Sequence, residues 1–153
     1  IWHASNNAWP LTVPTTFTQI NLGEHATSFP YPFSFNGATD EITFLQDSWY
    51  RFDWRCECSA DSSKHFAELR IEMQFDTGAG YVTLDTGTAQ HRTGKGVASD
   101  QVGIGFHMTR HRIFDLDDGD KMRMRWKGGN TTDIDTVTVG DDSLHIEIQR
   151  LYG

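Results

Sequence analysis

The sequence predicts an all-β fold, a single-domain antiparallel β-sandwich. Apolar and polar residues alternate with period two in several segments, most clearly at 49–58 and 66–75, as in strands with one buried face. Turn-forming Gly, Asp, Asn and Ser residues separate these segments, and no segment shows a convincing helical period. At 153 residues the chain is long enough to bury a core without disulfides or metals.

The first 40 residues differ in composition from the rest of the chain. They are rich in Trp, Phe, Asn and Thr, and they hold all of the prolines, residues that cannot donate a hydrogen bond to a β-ladder. We therefore expect residues 1–40 to form an extended N-terminal arm and the first strands of the domain, with short strands at 15–20 and 33–35. Residues 41–153 then form the body of the sandwich.

The alternation becomes clear from residue 41 onward. A short strand is predicted at 41–45 and a long one at 49–58. The apolar face of the long strand consists of Tyr50, Phe52, Trp54, Cys56 and Cys58. A second long strand at 66–75 ends in the turn 76–80, after which the chain pairs back over 81–85.

The second half of the chain alternates longer loops with strands. We expect a loop over 86–100, because this segment holds three glycines and few apolar residues. A strand then runs from residue 102 to Leu116, with a bulge or bend expected near 109–112. The remaining predicted strands are 122–126, a short one at 135–139 within the polar loop 128–140, and 144–148.

Cys56 and Cys58 share one face of a predicted strand. Side chains at positions i and i+2 of a strand point in parallel directions, so a disulfide between these two would be strained. Two buried thiols are the simplest interpretation. A disulfide to a neighbouring subunit, or a metal site completed by a histidine such as His65, are the alternatives, although the CxxC pair typical of zinc sites is missing.

Charge and motifs argue against several classes of function. The formal net charge of −8 disfavours nucleic acid as a partner, because phosphate binding requires clustered cations. No apolar run approaches the roughly 18 residues of a membrane-spanning helix. The HExxH and GxSxG patterns are missing. We expect a protein that is not an enzyme, uses no cofactor, and neither binds nucleic acid nor inserts into a membrane.

The densest acidic segment runs from residue 115 to residue 120. Aspartates around a glycine turn supply the oxygen ligands that calcium prefers, although the spacing of an EF-hand is missing. The calcium candidates are Asp115, Asp117, Asp118 and Asp120. A tight exposed turn explains the same residues without a metal, and we adopt that interpretation. His107 and His111 lie at even spacing and form a second candidate metal pair, with a polar strand face as the alternative.

Three polar loops, at 59–64, 86–100 and 128–142, are the expected recognition surfaces, because binding residues concentrate on loops carried by a rigid scaffold. The polar and aromatic ligand candidates are Tyr81, His91, Arg92 and Lys95. Basic residues also alternate along one predicted strand, and they form either a solvated strand face or a contact for an anionic glycan. This stripe consists of Lys121, Arg123, Arg125 and Lys127.

Three motifs, in this order and spacing, resemble the C1q/TNF-like jelly-roll superfamily. The first is a turn that enters a strand through an aromatic pair, at 47–52. The second is a strand ending in Leu116, followed after two residues by Gly119-Asp120 and an alternating strand. The third is a closing strand that begins Ser143-Leu144. The resemblance covers about residues 41–151 and implies a jelly-roll topology for the sandwich.

The sequence departs from the animal C1q proteins at defined points. Asp47-Ser48 stands where the family commonly has a glycine before the aromatic pair. The closing strand lacks a Phe-Ser-Gly run, and no collagen-like Gly-X-Y segment is found. The chain is therefore more similar to the distant versions of the superfamily in fibre, spike and tail proteins of bacteriophages and viruses.

The resemblance also implies a homotrimer in which one sheet faces the threefold axis. The polar residues of strands 49–57, 102–116 and 143–151 would then line the subunit interface: Arg51, Asp53, Arg55, Glu57, His107, Thr109, His145, Glu147 and Gln149. Buried charges are tolerated when they are paired, so we expect Arg–carboxylate pairs there. A monomer with this face in water is the alternative. In a trimer, His107 and His145 would make assembly sensitive to pH.

These inferences predict a non-enzymatic trimeric module on the surface or an appendage of a virion. It would act in attachment to a host receptor or glycan, or in decoration of the particle, with other virion proteins as partners. The alternative is a secreted or cell-surface C1q-like binding protein with an extracellular location. A third possibility is an appendage enzyme that cleaves glycans with two carboxylates.

Overall fold

In a computed structural model the chain is built from β-strands. The structure describes residues 2–6, 11–24, 32–60, 66–92, 104–129, 137–139 and 143–151. The strands in chain order are β1 (Trp2–Asn6), β2 (Leu11–Thr12), β3 (Thr18–Gln19), β4 (Leu22–Glu24), β5 (Phe33–Asn36), β6 (Glu41–Phe44), β7 (Ser48–Ala60), β8 (Phe66–Asp76), β9 (Tyr81–Arg92), β10 (Ile104–Leu116), β11 (Lys121–Gly128), β12 (Val137–Val139) and β13 (Leu144–Arg150).

The described strands form two antiparallel sheets that pack face to face. In sheet A, β13 and β12 pair with successive parts of one side of β7, and β10 pairs with the whole of the other side. Beyond β12 lies β2, and beyond β13 lie β1 and then β4. Sheet B has the order β5-β6-β11-β8-β9, and β3 pairs with β11. From β6 to β8, and again from β9 to β11, successive strands lie in opposite sheets, so the chain crosses the core repeatedly. The predicted antiparallel sandwich is confirmed.

The hydrophobic core fills the space between the two sheets. Trp2, Trp54 and Trp126 are among its largest fully buried side chains. Aromatic rings connect the sheets: Phe52 of β7 meets Phe75 of β8 edge-on, with ring centroids 5.7 Å apart. An aromatic pair of this geometry contributes about 0.5–1.5 kcal/mol beyond the area that it buries.

The 13-residue strand β7 lies at the centre of sheet A. Its buried positions alternate strictly with half-buried or exposed ones, as the sequence predicts. It pairs with β10 along one edge, from Ile104–Ala60 to Leu116–Ser48, and with β13 and β12 along the other. The polar side of β7 is therefore flanked by the polar sides of β10 and β13.

The N-terminal residues contribute strands to both sheets. β1 pairs with β13 and β4 in sheet A, and β5 pairs with β6 in sheet B. Trp2 and Ala4 of β1 are fully buried in the core. The predicted strand at 33–35 is present as β5, whereas the predicted strand at 15–20 is limited to the two residues of β3.

The predicted loop over 86–100 is wrong for its first part. β9 continues to Arg92 and pairs with β8 as far as Phe66, so residues 86–92 are strand. Residues 93–100 lie outside the described residues. Gly87 indicates a loop by its residue type, but it lies within the strand. Its lack of a side chain makes room for Trp54, because a Cβ at Gly87 would lie 2.5 Å from Trp54 Cη2.

The predicted bulge near 109–112 is also wrong. β10 pairs with β7 without a register shift from Ile104 to Leu116. The irregularity lies instead in the pairing of β8 with β9, between Met73 and Gln74. β10 stays regular because Arg110 and Arg112 occupy the inward positions between Met108 and Phe114. The carboxylate of Asp85 in sheet B pairs with both arginines there.

The hairpin between β8 and β9 lies where the sequence predicts it. Asp76 Oδ1 accepts hydrogen bonds from the N–H groups of Gly78 and Gly80, each at 2.9 Å. These bonds hold the pKa of Asp76 below its ordinary value, with the Gly78 bond contributing most. Both glycines have positive φ angles (105° and 97°), a conformation that glycine adopts without steric cost.

Candidate functional site

The outward side of β7, β10 and β13 forms one continuous polar surface, which we call the outer face of sheet A. The register aligns Arg51 with Gln149, Asp53 with Glu147 and Arg55 with His145. On the other side of β7, Thr109 lies opposite Arg55 and His107 opposite Glu57. The structure therefore places all the residues of the expected trimer interface on a single face: Arg51, Asp53, Arg55, Glu57, His107, Thr109, His145, Glu147 and Gln149.

Four of the charged or titratable side chains on this face are paired with one another. Arg51 Nε lies 2.8 Å from Asp53 Oδ2, and Arg51 Nη2 lies 3.6 Å from Glu147 Oε1. His111 Nδ1 contacts Asp53 Oδ1 from β10. Asp53 is thus shared by an arginine of its own strand and a histidine of the next. The expected Arg–carboxylate pairs between strands occur within one subunit.

A shallow depression of about 380 Å³ lies at the middle of this face. It is lined by Asp53, Trp54, Arg55, Thr109, His145, Ile146 and Glu147. Its side-chain chemistry is mixed, with acidic, basic, hydroxyl and imidazole groups around an open floor. Such a surface suits a polar ligand or the polar side chains of another protein better than an apolar ligand.

Exposed apolar side chains flank the charged region. Trp49 of β7 is 48% exposed and Ile113 of β10 is 46% exposed. Trp49 lies opposite Asp115 and Ile113 lies opposite Arg51, so the two apolar residues are diagonal neighbours on adjacent strands. The outer face of sheet A thus combines a paired polar centre with an apolar flank.

A second charged cluster lies between the sheets, at their β9 and β10 edges. Asp85 Oδ1 of β9 lies 2.7 Å from Arg110 Nη2 and 2.8 Å from Arg112 Nε, both of β10. The Asp85 side chain is only 4% exposed. This cluster cannot be predicted from the local sequence, because only the packing of β9 against β10 brings the three residues together. The sequence does contain one indication of it, because Arg110 and Arg112 occupy positions where the alternation of β10 calls for apolar residues.

Tyr81, a predicted ligand residue, is engaged within sheet B. Its hydroxyl donates a hydrogen bond to Glu41 Oε1, and the guanidinium of Arg123 lies 4.0 Å from the centre of its ring. The hydrogen bond from Tyr81 lowers the pKa of Glu41. Burial, and then the bond to Glu41, raises the pKa of Tyr81. These contacts fix Tyr81 against β6 and β11.

Of the other predicted ligand residues, only the backbone of His91 and Arg92 is described. His91 and Arg92 form the end of β9, in register with Ala67 and Phe66, and their side chains are not described. Lys95 lies outside the described residues. The recognition loop predicted at 59–64 begins within β7, which ends at Ala60, and residues 61–64 are not described.

The basic stripe on β11 is paired with groups of sheet B. Arg125 forms an ion pair with Glu72, and Arg123 Nε donates a hydrogen bond to Gln74 Oε1 at 2.9 Å. Lys127 Nζ lies 5.4 Å from the ring centre of Phe17. Two of the stripe's cations are therefore already hydrogen-bonded to side chains of β8, which weakens the case for an anionic-glycan contact.

The acidic segment before β11 forms a tight corner. Asp120 Oδ2 accepts a hydrogen bond from the N–H of Asp117 at 3.0 Å, and Asp118 N donates to Asp47 Oδ1 at 2.7 Å. Asp120 is buried, whereas Asp115, Asp117 and Asp118 are exposed. Gly119 N donates to the carbonyl oxygen of Phe44, which attaches the corner to β6. These bonds give the segment a structural role.

The described residues contain no group of three or more His, Cys, Asp or Glu side chains placed to hold a metal ion. His107 and His111 both lie on the outer face of sheet A, and His111 contacts Asp53. Both cysteines are buried thiols that take part in no disulfide. Burial raises the pKa of Cys56 to about 12 and also raises that of Cys58, so both thiols stay protonated and unreactive at neutral pH.

Comparisons with known proteins add information on the fold alone. No family model and no curated protein matches the sequence. Among solved structures, the chain is similar to the Eiger TNF protein of S. frugiperda, with a TM-score of 0.66 and 11% sequence identity. The match covers 98% of this chain and 90% of the other. Within the described residues, no helix is long and apolar enough to span a membrane. The two-sheet architecture and this match together show that the chain has a C1q/TNF-like jelly-roll fold.

Proposed function

We propose that the protein is a non-enzymatic homotrimeric module, displayed on the surface or an appendage of a virus or bacteriophage particle. It attaches to a host receptor or glycan, or decorates the particle. The observation that carries the proposal is the outer face of sheet A. Arg51, Asp53 and Glu147 are paired within the subunit at its centre, and exposed Trp49 and Ile113 lie beside them.

This surface has the properties of a contact between subunits. Burying a charge costs free energy unless it is paired, and the pairs of Arg51 with Asp53 and Glu147 already exist. Exposed apolar groups such as Trp49 and Ile113 beside paired charges are a feature of protein interfaces, which combine apolar and polar contacts. A second and third copy could therefore cover this face without leaving these charges unpaired.

The placement on a virion is supported by the sequence. The departures from animal C1q proteins at Asp47-Ser48 and in the closing strand favour the distant viral and phage versions of the fold. A secreted C1q-like binding protein is equally compatible with the jelly roll, and ligand binding discriminates between the two. The non-enzymatic role is supported by the sequence, which holds neither the HExxH nor the GxSxG pattern.

The mass in solution tests the trimer. Sedimentation equilibrium at micromolar concentration should give three times the chain mass of 17.4 kDa. Ile113→Arg should shift the population toward monomer, because it places an unpaired cation in the contact. The matched control is Ser34→Arg, which adds the same charge at an exposed position of β5 in sheet B. A wild-type monomer at all concentrations would refute the trimer.

The role of the trimer is tested separately by binding. A glycan array and binding to candidate host cells should detect a ligand for an attachment protein, whereas purified virions should retain a decoration protein that binds no glycan. Steady release of reducing ends from a polysaccharide would contradict the non-enzymatic role and support a glycan-cleaving appendage. Binding to host plasma proteins alone would favour the secreted alternative.

A further inference from the structure

The strands β9 and β10 present the longest edges of the two described sheets. β9 has 12 residues and pairs with β8, and β10 has 13 residues and pairs with β7. Within the described residues neither strand has a partner on its other side. The free N–H and C=O groups of such an edge are a template on which a strand of another chain can pair.

The sequence of β9 increases this risk. Residues 81–90 read YVTLDTGTAQ, with Asp85 as the only charged residue. Val82 and Leu84 are 55% and 49% exposed. Segments with high β-propensity and low charge are those that form intermolecular sheets. An edge of this composition needs a protective feature if the protein is to stay soluble.

The charged groups at this edge point inward. Arg110 and Arg112 lie in register with Trp54 and Phe52, whose side chains are buried between the sheets. Asp85 lies in register with Met73, which is also fully buried. The two guanidinium groups reach across the open side of the sandwich to one carboxylate, and their side chains remain 30% and 40% exposed.

We propose that the cluster of Asp85, Arg110 and Arg112 is an edge guard that prevents strands of other chains from pairing with β9 and β10. Inward-pointing charges protect edge strands. This cluster has two guanidinium groups for one carboxylate, so a strand added beside it would bury an excess positive charge that has no counter-charge. The register shift between Met73 and Gln74 lies next to Asp85 and twists the same edge. Both features occur where Val82 and Leu84 are exposed.

The guard determines how copies of the chain associate. Pairing at strand edges has no fixed end point and gives growing assemblies, whereas contacts through the outer face of sheet A can close into a ring. With strand pairing blocked at this edge, copies associate by packing of side chains and not by extending a sheet. The inference does not depend on the proposed trimer, because a monomeric protein needs the same protection.

The test replaces the cluster with apolar residues of similar size. A buried ion cluster replaced in this way often leaves stability unchanged or increases it. The triple variant Asp85→Val, Arg110→Met, Arg112→Met should therefore stay folded by circular dichroism. Its sedimentation profile should show assemblies whose mass grows with concentration, and the amide hydrogens of β9 and β10 should exchange more slowly in these assemblies. Adding Leu84→Lys should restore the wild-type mass by charging the edge.

The matched control removes the same net charge from strands that have neighbours on both sides. It combines Glu68→Val, Arg70→Met and Lys127→Met on the outward side of β8 and β11. This control should keep the wild-type mass. If the mass of the control grew with concentration as much as that of the cluster variant, the added apolar surface would explain the assemblies, and the proposal would be overturned. A folded cluster variant that keeps the wild-type mass at all concentrations would overturn it too.

A milder variant covers the case in which the triple variant does not fold. Arg112→Met leaves the one-to-one pair of Asp85 and Arg110 and should give slower growth that depends on concentration. A folded Arg112→Met protein whose mass is identical to wild type up to its solubility limit would refute the guard. The mass of the wild-type protein decides the trimer proposal independently of these results.

Discussion

Gly87 and Trp54 show how one backbone position determines the packing between the two sheets. A Cβ built at Gly87 would lie 2.5 Å from Trp54 Cη2 and 3.0 Å from the sulfur of Met108. All three residues are buried, so the neighbours have little room to move. The close approach of β9 to the indole ring is therefore possible only with glycine.

Gly87→Ala should lower the free energy of unfolding by about 1–3 kcal/mol, the usual cost of forcing extra atoms into a packed core. The measurement is urea unfolding followed by tryptophan fluorescence. Gly37→Ala is the control, because a Cβ there makes an ordinary contact of 3.6 Å with Phe35 and the stability should change little. Equal unfolding midpoints for Gly87→Ala and wild type would contradict this prediction, because they would show that Trp54 and Met108 can move to accommodate the added methyl group.

Asp85 is the residue whose role could not be predicted from the chain. It stands 25 positions before Arg110 and lies in a different sheet, so no local pattern connects the two. Its carboxylate is nevertheless paired with both arginines of β10. Removing it alone would leave two guanidinium groups facing each other without a counter-charge, a change that is usually strongly destabilising.

At the level of elements, the corner between β10 and β11 is held by backbone hydrogen bonds. Gly119 N donates to the carbonyl oxygen of Phe44, and Phe44 N donates to that of Asp120. The buried carboxylate of Asp120 accepts the N–H of Asp117. The corner therefore joins β11 to β6 and orients the strand that carries Met122, Met124 and Trp126.

Asp120→Ala should cost about 1–3 kcal/mol of stability, because it leaves a backbone donor of the turn without its acceptor. Asp115→Ala removes an exposed carboxylate from the same acidic segment and should change stability by no more than about 0.5 kcal/mol. Chemical denaturation of both variants measures the difference.

Calcium added to the wild-type protein should not shift its melting temperature, and a clear rise would restore the calcium hypothesis.

At the scale of the whole molecule, we expect the outer face of sheet A to make assembly of the proposed trimer sensitive to pH. His107 lies opposite Glu57, and His145 lies opposite Arg55. His111 contacts Asp53 on the same face. In a trimer whose axis this face lines, protonated histidines of three subunits would lie close together. Histidine is the side chain that ordinarily changes charge between pH 5 and 8.

We expect the mass of the proposed trimer to change between pH 8 and pH 5, because histidine ordinarily changes its charge over this range and the histidines lie among both acidic and basic groups of this face. Sedimentation velocity across this range measures the effect. The double variant His107→Gln, His145→Gln should reduce the pH dependence while leaving the mass at pH 8 unchanged. A wild-type profile that is flat between pH 5 and 8 would reject the idea.

The sequence alone determined the sandwich and most of its strands. The alternation in β7, β8, β11 and β13 is a local property, since period two follows from strand geometry whatever the strand's neighbours are. That the polar residues of β7, β10 and β13 share a face was implied by the resemblance to the C1q/TNF-like superfamily and not by the alternation, and the strand register places them on one face.

Only the tertiary structure decided which strands form the edges and where the charges of those edges find partners. β9 reads as a loop after residue 85, and its extension to Arg92 depends on pairing with β8. Arg110 and Arg112 read as an interruption of β10 until Asp85 is placed opposite them. The physical reason is that pairing across sheets is a property of distant segments, which the local pattern of one strand does not contain.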